Sequence, residues 1–421
     1  MNRIVGSLVL ILVSVQLFGQ NIDVSPYTFY GYGDLRMNNG AASYGMGGLG
    51  TSYLSTYGTE SNFMNPAANR NLRMTNFIFE GTSQFVRSEN ATDGIDQSTT
   101  YLSRVSLGFP VSDKATAGIG FQPYSTVGYE INNINENTNP RSASRFDGDG
   151  GLNAFQLLGS YNLTPTLSIG VRADYIFGDI NRKELFTVEG AQLITDYNNQ
   201  NDIDGFKFTG GLSYWKKLKD NKFLSIGGTY GIGSNLSSDQ EYTVRTYKVD
   251  PANFIEYNID TLQYSQNRED VKLPANASFG ISYGKELKWS VGAQVDWENT
   301  SDFSLINQPQ ELNNRLKAAI GGYYIPQFNS FRSYFARATY RAGAYYEQTP
   351  IVINGKELTD YGITFGIGLP VGKVTDPSEL NIGVALGQRG TTSDNLIKES
   401  YANLKVSFTL NDAWFKRRKY D

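Results

Sequence analysis

Three stretches show the rule that governs most of this chain. Between 166 and 177, Leu167, Ile169, Val171, Ala173, Tyr175 and Phe177 take one set of alternate positions, and Thr166, Ser168, Gly170, Arg172 and Asp174 take the other. Between 288 and 297, Trp289, Val291, Ala293, Val295 and Trp297 oppose Lys288, Ser290, Gly292, Gln294 and Asp296. Between 332 and 346, Tyr334, Ala336, Ala338, Tyr340, Ala342, Ala344 and Tyr346 oppose Arg337 and Arg341. Successive side chains of a strand point to opposite faces, so each stretch predicts a strand with one apolar and one polar face. Fourteen such segments lie near 72–87, 99–110, 114–131, 150–163, 166–188, 192–217, 222–250, 254–283, 287–303, 312–325, 331–349, 355–370, 378–390 and 399–411. The pattern fades between 180 and 203 and between 235 and 270, which leaves the count open by two.

The connections carry a second regularity. Tight links follow even-numbered segments, as at Pro110-Val111-Ser112-Asp113, Leu163-Thr164-Pro165, Leu218-Lys219-Asp220-Asn221, Gly284-Lys285-Glu286 and Pro326-Gln327-Phe328-Asn329. Longer polar stretches follow odd-numbered ones, at 88–98, 132–149 and 299–311. Short periplasmic turns against longer external loops are the asymmetry of an outer-membrane barrel. Lipid offers no hydrogen-bond partner, so a sheet spans it only when closed. The fold class predicted is all-β: a transmembrane antiparallel barrel of about fourteen strands over 72–411. Tyr101, Tyr161, Trp215, Trp289, Trp297, Tyr323 and Tyr324 are candidates for its aromatic girdles.

Ahead of the barrel, residues 21–71 lack either period and are rich in Gly, Asn and Tyr. A barrel of this size leaks unless something fills it. The segment reads as a plug in the lumen, with Tyr44, Met46, Leu49, Phe63, Met64 and Pro66 as candidate ligand-binding residues. The first 20 residues read as a cleaved signal peptide, with Arg3 ahead of an apolar run from Ile4 to Phe18 that is too short to span. An N-terminal membrane anchor is the alternative. Residues 412–421 form a basic tail, a contact for periplasmic partners or phosphate headgroups, or simply a solvated terminus.

Composition removes whole classes of chemistry. Cys and His are both absent, which excludes disulfides, Cys- or His-based zinc sites, and Ser-His or Cys-His nucleophile pairs. A net charge of −4 gives no basic footprint for nucleic acid. Gly45-x-Gly47-x-x-Gly50 matches a dinucleotide fingerprint only as text, since no βαβ unit surrounds it. Gly280-Ile281-Ser282-Tyr283-Gly284 resembles a nucleophile elbow but ends a strand and has no histidine base. Asp147-Gly148-Asp149-Gly150-Gly151 falls in an expected external loop; it lacks the further ligands of a calcium loop and reads as a solvated turn. Inward-facing Arg172, Arg337 and Arg341 either line a charged route or hold the structure together, the second reading being preferred. No catalytic residue, metal site or cofactor is expected.

Ala42-Ser43-Tyr44-Gly45-Met46-Gly47-Gly48 followed by Asn65-Pro66-Ala67 resembles the N-terminal hatch of the FadL/OmpP1/TodX family of outer-membrane transporters. Leu107 to Phe121 resembles that family's second hairpin. The resemblance implies a fourteen-stranded barrel with a hatch, passive uptake of fatty acids or aromatic hydrocarbons, and a lateral opening at a kinked third strand. Gly120, Pro123 and Gly128 are the positions it puts forward for that opening, because proline lacks the ladder N–H. An ordinary bulge above the membrane is the competing reading. The expected partners are outer-membrane lipid and a small hydrophobic ligand. The alternative function is a non-transporting barrel that serves as scaffold in an outer-membrane secretion or assembly complex, with outer-membrane or periplasmic protein partners.

Overall fold

The computed structural model describes residues 25–36, 40–55, 57–249, 256–303, 312–371, 378–393 and 396–412. The expected signal peptide and nearly all of the basic tail lie outside these residues. Alternation produces long strands in unbroken sequence order. They are β1 (Thr75–Glu89), β2 (Gly94–Pro110), β3 (Ala115–Asn135), β4 (Ser142–Asn162), β5 (Leu167–Val188) and β6 (Ile194–Lys217). Next come β7 (Lys222–Gly231, resuming as Ser234–Val249) and β8 (Glu256–Leu273, resuming as Asn276–Lys285). The remainder are β9 (Trp289–Glu298), β10 (Arg315–Tyr324), β11 (Thr339–Ile353), β12 (Lys356–Pro370), β13 (Glu379–Arg389) and β14 (Lys398–Asp412). Each pairs antiparallel with its neighbours, and β14 pairs with β1 from Lys398↔Glu89 to Asp412↔Thr75, which closes a fourteen-stranded barrel.

Closure puts one face of every strand outward. Val171 is 66% exposed and Ile320 63%, whereas inward Ser168 and Asn381 are fully buried. With Phe155, Leu157, Phe206, Leu212, Val291, Ile363 and Phe365, these side chains form an apolar band of about ten residues per strand, the height a bilayer core requires. At one rim of the band lie short turns, the start of β1 and the end of β14; this is the periplasmic rim.

At the other rim, β3 to β8 run far beyond the band. They change course as they leave it: a bulge at Pro123/Ser125 in β3, Gly150 at φ 108° in β4, and ladder gaps at Ile232-Gly233 in β7 and Pro274-Ala275 in β8. Inside this overhang Val127, Tyr129, Leu152, Ile176, Ile180, Ile203, Leu236, Val271 and Leu273 form an apolar core around Tyr32.

The overhang corrects several sequence expectations. Residues 88–98 and 132–149 are mostly strand, so the barrel's asymmetry lies in strand length more than in loop length. Asp147 to Gly151 sit within β4 and not in a loop. The link after β11 is the two-residue turn Asn354-Gly355, with φ of 53° and 74°, the left-handed pair of a tight hairpin. Conversely β11 begins at Thr339, so Tyr334, Ala336 and Arg337 belong to the β10–β11 turn, and Arg337 lies over the Tyr334 ring. Three girdle candidates face the lumen. Trp215 does, since it shares the parity of buried Ser213, and the plug's Arg70 lies 5.3 Å from its ring centre. Tyr323 must, because its neighbour Tyr324 faces out. Tyr101 does because a bulge at Ser103 reverses the parity of β2: Glu80 pairs with Arg104 but Gly81 with Leu102.

Candidate functional site: the plugged lumen

The described residues among 25–74 fold inside the barrel with little regular structure: a turn of 3-10 helix (Pro26–Phe29), a two-residue strand (Asp34–Leu35) and one helical turn (Ala41–Tyr44). Their backbone approaches the wall closely because the wall is bare where they touch it. A methyl group on Gly170 would lie 2.4 Å from the Pro66 carbonyl carbon, and one on Gly343 would lie 2.4 Å from that of Met46. The Phe63 ring, 1% exposed, rests on Gly118 and Gly120. Met46 and Leu49 pack with Ala319, Tyr323 and Ile325 near the periplasmic rim. Four of the six candidate ligand residues, Met46, Leu49, Phe63 and Pro66, are thus in plug–wall contact, while Tyr44 and Met64 line cavities.

Charged groups then latch the plug. Buried Arg104 of β2 reaches Glu60 of the plug at 3.1 Å and Glu80 of β1 at 3.4 Å, and Glu80 accepts the Ala41 N–H at 2.9 Å. Arg172 pairs with Asp174 at 2.8 Å and donates to the Phe63 carbonyl. Arg389 lies 2.9 Å from Asp34 and 2.7 Å from Glu399, which accepts a bond from Ser25 at 2.6 Å. Gln294 accepts the N–H groups of Gly50 and Thr51, both at 2.9 Å, and Asn65 donates to Thr51 at 2.7 Å and to Leu212 of the wall at 3.0 Å. Arg341 pairs with Glu379 at 3.2 Å.

Burial shifts the plug's titrating groups: it pushes the Tyr27 and Tyr57 hydroxyls up to about 12, and raises the Glu60 carboxyl against the opposing Arg104. Burial would raise Asp34 too, but Arg389 and Arg36 beside it hold it below its ordinary range.

Two cavities stand out among the described residues. The larger, about 220 Å³, lies between plug and wall against Tyr44, Tyr101, Lys317, Glu347, Asp360 and Arg389. The smaller, about 130 Å³, meets Met64, Arg172, Lys207, Asp296 and Glu298. Both contain charged side chains, and the larger is also lined by aromatic and aliphatic groups, among them Tyr27, Tyr345, Ile351 and Tyr401. Among the described residues no group of acidic side chains is arranged to hold a metal ion.

The wall is discontinuous at one seam. The β2–β3 ladder runs only from Pro110↔Thr116 to Val105↔Phe121. Above that, β2 pairs with β1 alone, whereas β3 pairs with β4 and with the plug strand through Asp34↔Thr126 and Leu35↔Ser125. The Arg36 N–H donates to Tyr124 at 2.9 Å and the Ser25 N–H to Gly128 at 3.1 Å. Gly120 lies just below the seam, Pro123 at its start beside the bulge, and Gly128 higher up. The Arg36 side chain crosses the seam from Thr126 at 2.6 Å to Gln84 at 2.8 Å, under the Tyr101 ring. Sequence reasoning missed Asp34, Arg36, Arg104, Gln294 and Arg389; for Arg104, Gln294 and Arg389 the available signal was charge or amide within strands already identified, while Asp34 and Arg36 lie in the aperiodic plug and had none.

The BamG family model matches residues 1–421, the whole chain. The chain belongs to the BamG family. No curated protein matches its sequence. The fold of this BamG-family chain is that of solved outer-membrane hydrophobic-compound channels. A Pseudomonas aeruginosa FadL homologue is 13% identical with a TM-score of 0.60, covering 91% of this chain and 100% of its own. The Pseudomonas putida toluene transporter TodX is 18% identical with a TM-score of 0.57, covering 90% and 100%. The Ralstonia pickettii toluene transporter TbuX is 13% identical with a TM-score of 0.57, covering 89% and 98%. The barrel and hatch inferred by resemblance to the FadL/OmpP1/TodX family are therefore the architecture of a chain whose own family is BamG.

Proposed function

We propose that this barrel is a permanently plugged scaffold subunit of an outer-membrane complex, working through its surfaces and not by conduction. The observation that carries this reading is the latching of the plug by Arg104, Arg172 and Arg389, with charged side chains set into both cavities. A hydrophobic ligand gains from sites lined by apolar side chains. In these cavities it would displace water from charged groups and leave them worse solvated. Freeing the plug would also strand several buried charges at once, each costing several kcal/mol. The long overhang and the periplasmic turns offer protein partners the surface that the lumen withholds.

A second reading is favoured by the seam between β2 and β3. Uptake of a small hydrophobic molecule, the activity named for the toluene transporters of like fold, would proceed sideways through that seam beside Pro123, with Gly120 and Gly128 flanking the route. One preparation separates the two. The full chain is extracted from membranes in mild detergent, its protein partners are quantified, and its bound small molecules are read by mass spectrometry. Stoichiometric partner proteins without retained fatty acid or aromatic compound support the scaffold. Retained hydrophobic ligand on isolated barrel supports uptake.

A further inference from the structure

Three successive periplasmic turns differ from the rest of their rim. The β6–β7 turn carries Lys216, Lys217, Lys219 and Lys222 against the single acid Asp220. The adjoining β8–β9 turn carries Lys285 and Lys288 against Glu286, and the β10–β11 turn adds Arg332 and Arg337 with no acid. The two lysine-rich turns are joined: Lys217 pairs with Glu286 at 2.7 Å, and the Glu286 N–H donates to Asn221 at 2.9 Å. The turn from Pro110 to Ala115 has only Asp113 with Lys114, and that from Asn162 to Leu167 has no charge. The arc is thus strongly positive on a chain whose net charge is −4.

Aromatic rings are set among these cations at the edge of the lipid-facing band. Outward-facing Tyr283 meets Trp289 edge-on at 5.8 Å. The Lys288 ammonium lies 5.1 Å from the centre of the Tyr324 ring. In the β10–β11 turn Phe331 is 99% exposed and Phe335 63%. Lipid-facing Tyr340 donates to the Phe335 carbonyl at 3.1 Å, which holds that end of the turn at the outer face of the wall, while Phe328 at its other end stacks on Tyr57 of the plug. Exposed phenylalanines beside arginines, continuous with a surface already seated in lipid, suit the boundary between acyl chains and headgroups.

We propose that this arc is a binding surface for anionic phospholipid headgroups of the inner leaflet. The phosphates meet the Lys and Arg side chains, and Phe331 and Phe335 enter the acyl region beneath them. An acidic periplasmic protein would find the same cations but would leave both phenylalanines in water.

The full chain is reconstituted into nanodiscs of equal phosphatidylglycerol and phosphatidylcholine, and the lipids it retains on release are counted by native mass spectrometry. Wild type is expected to retain the anionic lipid several-fold over the zwitterionic one, with the preference falling at high salt. A triple variant Lys216→Gln, Lys219→Gln, Arg332→Gln loses the preference. Its external counterpart, Lys248→Gln, Arg268→Gln, Lys356→Gln, keeps it. Phe331→Ser, at a side chain that touches nothing, weakens retention with the barrel intact by heat-dependent gel mobility. Equal retention of the two lipids by wild type overturns the proposal, as does a preference that survives in the rim variant, or an acidic protein that occupies the arc in place of lipid.

Discussion

Phe63 illustrates how single residues seat the plug. Its ring lies on the bare backbone of Gly118 and Gly120, which have no side chains to refill the space if it is removed. Phe63→Ala is therefore expected to cost about 3–5 kcal/mol, read from denaturant unfolding of the reconstituted barrel. A cost under about 1 kcal/mol would mean the ring is not packed there. Arg104→Ala should cost as much by another route, about 3–5 kcal/mol, since it leaves the Glu60 carboxylate buried without its cation and Glu80 with Lys405 alone. Arg104→Ala together with Glu60→Gln should recover much of that loss, Glu80 keeping Lys405. Asp34 gives the plug a pH response. Its folded pKa lies below the unfolded value of about 3.9, so its contribution is present above that pH and is lost as pH falls through the folded pKa. Limited proteolysis around Asp34–Leu35 should stay slow from neutral pH down to about 4 and accelerate below it; acceleration near neutrality would contradict this. Phe63 and Pro66 were legible in the sequence as apolar residues in an aperiodic segment. Arg104 and Arg389 were not, because a charge on the inward face of a strand reads alike for a channel lining and for a latch.

At the scale of elements, the strands were legible wherever lipid covers one face and the lumen the other, because there the two faces have opposite chemistry. Beyond the bilayer that contrast goes. Upper β8, from Glu256 to Asp270, is exposed along almost its whole length, so its composition is that of a loop while its backbone still pairs with β7. Bulges hide a second kind of information. One extra residue at Ser103 in β2, and another at Tyr124 in β3, exchanges the inward and outward sets, turning Tyr101 and Val127 to the inside. The seam itself was suggested by Pro123, but its filling by plug backbone was not visible without coordinates. That arrangement has a measurable consequence. Between Gly94 and Ser98 β2 lies outside the β2–β3 ladder, whereas β4 is paired on both sides along its length. Alternate amides of this part of β2 should exchange hydrogen far faster than those of β4 between Leu152 and Asn162. Equal protection would show that the seam closes.

For the whole molecule, the decisive property is that a barrel too wide to be filled by its own side chains is filled by its N-terminal segment and locked there by ion pairs. The fourteen strands and their order followed from periodicity, whereas the closed state of the lumen depends on contacts between residues hundreds of positions apart, such as Ser25 with Glu399. Such pairs leave no local pattern. The claim of a permanently occluded lumen is tested most directly by planar-bilayer recording of the intact chain. The expected result is an insulating membrane without steady current steps, while a variant lacking residues 25–72 gives large, ohmic steps. Stable ohmic steps from the intact chain would contradict the account.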